Sequence, residues 1–233
     1  MRVSLDQVPR AVIFDRDGVL THFDLPMLRE LLSSLVPLPL EAVAARWQRW
    51  CEQGGPRTPS EESAFWAAFW DGICDELDLG AVQRERLHAF DYTQSVRAFP
   101  EARATVLAAR AHGLKVGVLS NFPLVSLDAS LAAAGLADVV DVARSAPAIG
   151  AAKPDPNSYL SVTRALGVQP EECLFFDDEL ECVEGARAVG MTAYLVDRRR
   201  AAHSLEEGVV RDLGVLPSLL EPARTDQRGG VRR

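Results

Sequence analysis

Hydrophobic and polar positions divide the chain into two textures. In one, short unbroken apolar runs alternate with amphipathic stretches. The runs are Ala11–Phe14, Lys115–Leu119, Val139–Val142 (interrupted by Asp141), Cys173–Phe176 and Thr192–Val196. They have strand length and lack apolar–polar alternation, as expected of strands covered on both faces in a parallel sheet. Between them, Glu101–His112, Ser126–Ala134, Asn157–Leu166 and Leu180–Val189 carry helical spacing, and they stop at Gly113, Gly135, Gly167 and Gly190. This alternation predicts βαβ units with right-handed crossovers: an α/β fold with a Rossmann-like doubly wound parallel sheet.

The other texture runs from about Thr21 to Arg97, where the pattern predicts helices over Leu25–Leu35, Glu41–Cys51, Glu61–Leu77 and Val82–Asp91 and no strong strand. All four tryptophans (Trp47, Trp50, Trp66 and Trp70) fall here. They read as the core of a small bundle, one or two of them also lining a ligand pocket. The expected division is a core of residues 1–20 and 98–222, an all-helical insertion of residues 21–97, and a frayed tail at 223–233. Arg198-Arg199-Arg200 reads as a solvated turn and Leu205–Leu220 as a closing helix.

Composition narrows the classes. The chain has 233 residues, 48% hydrophobic content and a formal charge of −8. That excludes a mainly disordered chain and argues against non-specific nucleic-acid binding, which needs a basic surface. No stretch approaches the ~18 apolar residues needed to span a bilayer. Acids interrupt the N-terminus before any long apolar run, so it does not read as a signal peptide. Cys51, Cys74, Cys173 and Cys182 form no CxxC pair and no Cys/His zinc spacing. The reading is a reduced, cytoplasmic protein, monomer or homodimer, with no membrane or nucleic-acid partner.

Chemistry concentrates at the ends of the predicted strands. Asp15-Arg16-Asp17-Gly18 follows the first. Alternation along an extended chain points Asp15 and Asp17 the same way and Arg16 elsewhere. Such a pair suits a nucleophile beside a proton shuttle, or two ligands for a hard cation such as Mg²⁺; a plain turn would look the same. Ser120-Asn121 ends the second strand and suits an oxyanion site. Lys153-Pro154-Asp155-Pro156 precedes a helix. Lys115 and Lys153 are the chain's only lysines, so a lysine here marks a place where arginine does not serve. Asp177-Asp178 ends the fourth run. Ligands of open α/β sheets bind beyond the carboxyl ends of the strands, where all four clusters fall.

The order DRDGVL, LSN, KPDP, FFDDELECVEGARAVGM resembles the haloacid dehalogenase superfamily of phosphotransferases, over about residues 10–197. The doubled acid resembles the branch with a helical cap inserted after the first motif. The resemblance implies a phosphatase for a small phosphorylated metabolite of sugar-phosphate type. Asp15 would be the nucleophile and Asp17 the acid and base. Ser120 or Asn121, with Lys153, would hold phosphoryl oxygens. Asp15, the Asp17 main-chain carbonyl and Asp178 would bind Mg²⁺, with Asp177 in support. A phosphomutase would differ only in the acceptor, and a dehalogenase would usually lack the second acid. Two positions depart from the pattern. Arg16 replaces a residue that is often apolar, and Cys182 stands where relatives usually carry Asp or Asn. Cys182 is the only hint of a non-catalytic relative. Arg46, Arg49 and Arg57 among the cap aromatics suit an anionic or partly apolar substrate, with the loop at Gly54–Pro59 as the expected specificity segment.

Overall fold

The computed structural model describes residues 8–220. Six strands make one parallel sheet: β1 (Ala11–Phe14), β4 (Lys115–Ser120), β5 (Val142–Ser145), β6 (Cys173–Asp177), β7 (Thr192–Val196) and β8 (Val209–Val210), in the order β5-β4-β1-β6-β7-β8. The central strand β1 pairs in parallel with β4 on one side and β6 on the other, so Phe14 lies between Val118 and Phe176. From β1 the chain builds outward to β5, then returns to β6 and builds the other way. That reversal opens a crevice at the carboxyl end of β1.

Both faces of β1 are fully buried, which accounts for its unbroken apolar run. Val12 and Phe14 pack with Val106 and Ala109 of α5 (Ala102–Ala111) and Leu216 and Leu219 of α10 (Leu216–Leu220). Ala11 and Ile13 face Tyr159 and Val162 of α8 (Pro156–Leu166) and Val183 and Ala186 of α9 (Leu180–Ala188). Phe14, Phe176 and Tyr194 stack across three neighbouring strands at 5.6 and 5.4 Å, adding aromatic attraction to area burial.

Between β1 and β4 the chain leaves the sheet through β2 (Thr21–Phe23) and returns through β3 (Val96–Ala98), paired antiparallel. These strands, three residues each, are too short to show a period and were not expected. Between them lie α1 (Leu25–Ser33), α2 (Leu40–Glu52), α3 (Pro59–Glu76) and α4 (Ala81–His88). Thr58 and Glu61 cap the start of α3 reciprocally. Leu32, Val43, Phe69, Trp70, Ile73 and Leu87 are among the buried apolar contacts of the bundle, with Trp47, Trp50 and Trp66 packed against them.

Three expectations are corrected. The edge strand covers Val142–Ser145, not Val139–Val142. Asp141 accepts from the Val116 amide with its side chain and donates its own amide to the Val116 carbonyl, at 2.8 and 2.9 Å. It therefore ends the preceding turn, and as an edge strand the next segment need not be apolar. Leu205–Leu220 is not one helix. Gly208 turns at φ 69°, Val209–Val210 joins the sheet edge, and only Leu216–Leu220 is α-helical. Arg198 is not a solvated turn residue: it stacks on Phe99 at 3.3 Å and donates to the carbonyls of Gly18 and Val19 at 2.8 and 2.6 Å. The expected tail at 223–233 lies outside the described residues.

Candidate active site

The β1 ladder continues one residue beyond the strand, because the Asp15 amide donates to the Phe176 carbonyl at 2.8 Å. This fixes Asp15, 7% exposed, at the crevice floor. From the other side of the sheet, Lys153 Nζ donates to Asp15 Oδ1 at 2.5 Å and to Asp177 Oδ2 at 2.7 Å. The lysine is presented by the turn before α8. The Asn121 side chain holds that turn at Lys153, accepting from the Lys153 amide at 2.8 Å and donating to the Lys153 carbonyl at 3.0 Å. Its carboxamide is thereby committed to the lysine loop. Gly185 lets α9 pack against the same turn: a Cβ there would lie 2.7 Å from Pro154.

Asp177 Oδ1 accepts from the Glu179 amide at 2.9 Å, and the Cys182 thiol donates to Glu179 Oε2 at 3.2 Å. Burial pushes the thiol's pKa up, so Cys182 stays protonated and braces Glu179. Ser120 Oγ accepts from the Phe122 amide at 3.1 Å and keeps its own proton for a ligand. Asp15, Asp17, Ser120, Lys153, Asp178 and Glu179 all line one cavity of about 370 Å³.

The cluster's charge is unbalanced. Burial pushes the carboxyl of Asp15 up to about 7, against the pull of Lys153, and burial also raises Asp177 and Asp178. Burial alone would lower the pKa of Lys153. The combined attraction of Asp15 and Asp177 outweighs it, so the ammonium is held more tightly than in water. Carboxylate oxygens of Asp15, Asp177 and Asp178 lie within 4.8 Å of one another. Three carboxylates against one ammonium leave an excess of negative charge that a dication neutralises, and hard oxygen donors suit Mg²⁺. Gly18 makes room for this arrangement. It sits at φ 81°, and a Cβ there would meet Asp178 Oδ2 at 2.1 Å.

Arg16 does not point away from the site. Its guanidinium, fully buried, donates to Asp17 Oδ2 through Nη2 and Nε at 2.5 and 3.1 Å, and through Nη1 to Ser130 at 2.9 Å. It also stacks on Phe122 at 3.8 Å. Asp17 Oδ1 accepts from the Thr21 hydroxyl at 3.1 Å. Arg16 and Arg198 thus brace the first loop; Arg16 stands out in the sequence only as a departure from the family pattern, and in an arginine-rich chain Arg198 does not stand out at all. The insertion contributes less charge than expected. Arg46 is bound to Glu76 at 2.5 Å, and it shares a separate surface hollow with Arg49. Trp47, by contrast, faces Phe122 at 6.2 Å, and Glu62 accepts from the amides of Val125 and Ser126 at 3.2 and 3.3 Å.

Comparison with known proteins bears on the family and the fold. Residues 9–190 match the haloacid dehalogenase-like hydrolase family. The chain is 44% identical to phosphatase MT3486 of Mycobacterium tuberculosis, over 91% of this chain and 97% of that protein. It is 30% identical to an (S)-2-haloacid dehalogenase of Xanthobacter autotrophicus, over 88% of this chain and 79% of that one. The crystal structure of a HAD phosphatase from Thermococcus onnurineus superposes with a TM-score of 0.61 at 26% identity, covering 91% of this chain and 97% of that one. With a family match over residues 9–190 and a phosphatase 44% identical along nearly its whole length, the chain belongs to the haloacid dehalogenase-like hydrolases.

Proposed function

We propose that the protein is a Mg²⁺-dependent phosphatase that hydrolyses a small phosphate monoester through an aspartyl-phosphate, with residues 21–97 as a cap over the site. The observation that carries this reading is that Asp15 and Asp17 open on one cavity together with Lys153 and Ser120. A carboxylate oxygen of Asp15 attacks phosphorus and the ester P–O bond breaks. Asp17 gives its proton to the departing alkoxide. Asp17 then takes a proton from water, the water oxygen attacks phosphorus, and the P–O bond to Asp15 breaks to release phosphate. Arg16 grips Asp17 Oδ2, which leaves Oδ1 beside Thr21 as the edge that exchanges protons. Lys153 and the Ser120 hydroxyl hold phosphoryl oxygens, and Asn121 acts through the lysine loop. Asp15, Asp178 and the Asp17 carbonyl would hold Mg²⁺, with Asp177 behind them; when bound, the ion neutralises phosphoryl charge and lets the carboxylates approach it. The 44%-identical phosphatase supports the reading, and Asp17 counts against dehalogenation.

Phosphate release from a panel of monoesters, with Mg²⁺ and with chelator, tests it. Release should need the metal, and Asp15→Asn should lower it by more than about 10⁴-fold. Appreciable turnover by the folded Asn variant would remove Asp15 as nucleophile.

A further inference from the structure

A second cavity, of about 220 Å³, lies in the helical insertion and reaches the sheet's loops. Phe122 lines both it and the acidic cavity, so the two spaces meet at one side chain. Its other walls include Phe23, Leu28, Val43, Trp47 and Tyr92. No charged side chain lines it, and Arg16, which stacks behind the wall residues Phe122 and Phe23 at 3.8 and 5.9 Å, is already engaged by Asp17 and Ser130.

Resting on the phosphatase reading above, we infer that this chamber receives the organic part of the substrate, and that the substrate is the phosphate monoester of an apolar alcohol, of benzyl or short alkyl size. Three physical points lead there. First, Phe122 is a wall of both cavities, so a leaving group that extends from a phosphoryl group at Asp15 past this side chain enters the chamber. Second, an apolar cavity of about 150 Å³ is enough to take up benzene, so this volume accommodates a ring with a linking carbon. Third, the walls disfavour the alternatives, because Tyr92, Trp47 and Trp70 are the only lining side chains with a hydrogen-bonding group. Each sugar hydroxyl buried without a partner would weaken binding by about 5- to 150-fold, and a carboxylate would be buried without any cation. The sugar-phosphate expectation and a carboxylate-bearing ester are both disfavoured on this ground.

Primary-alcohol monoesters have similar leaving groups and make the test direct. With Mg²⁺ present, kcat/KM for benzyl and hexyl phosphate should exceed that for glycerol 3-phosphate, glucose 6-phosphate and phosphoglycolate by at least about 100-fold, mostly through KM. Ala44 is an exposed residue of the chamber wall, so Ala44→Phe narrows the space without disturbing a buried contact. It should cut the benzyl-to-glycerol ratio at least about tenfold. Equal or reversed preference in an active enzyme would overturn the inference while leaving the phosphatase reading intact. If no ester is hydrolysed, even acetyl phosphate, the phosphatase reading fails instead. Tryptophan fluorescence then decides the chamber separately, because Trp47 and Trp70 line it. Benzylphosphonate should change the emission saturably where methylphosphonate does not, and identical responses to the two would overturn the chamber assignment.

Discussion

The sheet edge and the helical insertion solve opposite problems. At the sheet edge, strand ends and one lysine crowd like charges into a buried cluster, with Lys153 2.5 Å from Asp15 and 2.7 Å from Asp177. The insertion turns aromatic faces inward and pairs several of its arginines with acids at the surface, as Arg46 is with Glu76 and Arg84 with Asp71. Charge must be placed to within tenths of an ångström, and strand ends anchored by a ladder do that. An apolar enclosure needs only shape and dryness, which amphipathic helices supply. Chemistry and selectivity therefore sit on different elements that meet at Phe122.

The comparison is broken most severely at Lys153. Lys153→Met leaves two buried carboxylates without their cation, and should lower stability by about 3–5 kcal/mol at pH 8 in chelator. Chemical denaturation measures this. A loss below about 1 kcal/mol would mean the ammonium is not what holds the cluster.

Next in size is the pH response of the metal-free protein. The folded-state values of Asp15 and Asp177 are raised, so between the ordinary carboxylate range and about 7 the folded state binds protons that the unfolded state has released. Stability must then fall as pH rises through that window, by at most about 1.4 kcal/mol per pH unit for each proton. Melting curves in chelator should show this decline, and Mg²⁺ or Asp15→Asn should flatten it. A decline that survives both changes would place the responsible groups elsewhere.

A local break is Gly18→Ala. The added methyl would overlap Asp178 Oδ2, so the Mg²⁺ concentration for half-maximal activity should rise at least about tenfold. An unchanged metal requirement would take Asp178 out of the ligand set. Smallest is Arg46→Ala in the insertion. Its exposed pair with Glu76 lies away from both cavities, so kcat/KM should stay within about twofold of wild type. A larger change would restore Arg46 as a substrate contact.

Most of the sheet was legible because its central strands are buried on both faces, which writes them as continuous apolar runs such as Ala11–Phe14. What the apolar pattern does not mark is short or at an edge. Thr21–Phe23 and Val96–Ala98 have three residues each, and Val209–Val210 has two. Hydrogen bonding to a partner strand makes these segments strands, and that partner is distant in sequence. Asp15, Asp17, Lys153 and Asp178 could be picked out because acids and a rare lysine at strand ends are costly unless used. Arg16 was misplaced, because strand alternation no longer holds where the chain turns at Arg16, whose carbonyl accepts from the amides of Leu20 and Thr21.

By itself, then, the sequence determined the alternating core, the helical insertion and the charged groups at the strand ends, since burial period and residue chemistry are local properties. Only the tertiary structure decided that Asn121 clamps the Lys153 loop, that Arg16 grips Asp17, that Arg46 turns outward, and that Phe122 joins an acidic cavity to an apolar one. Those are outcomes of packing between segments far apart in the chain, and no local pattern encodes which side chains will meet.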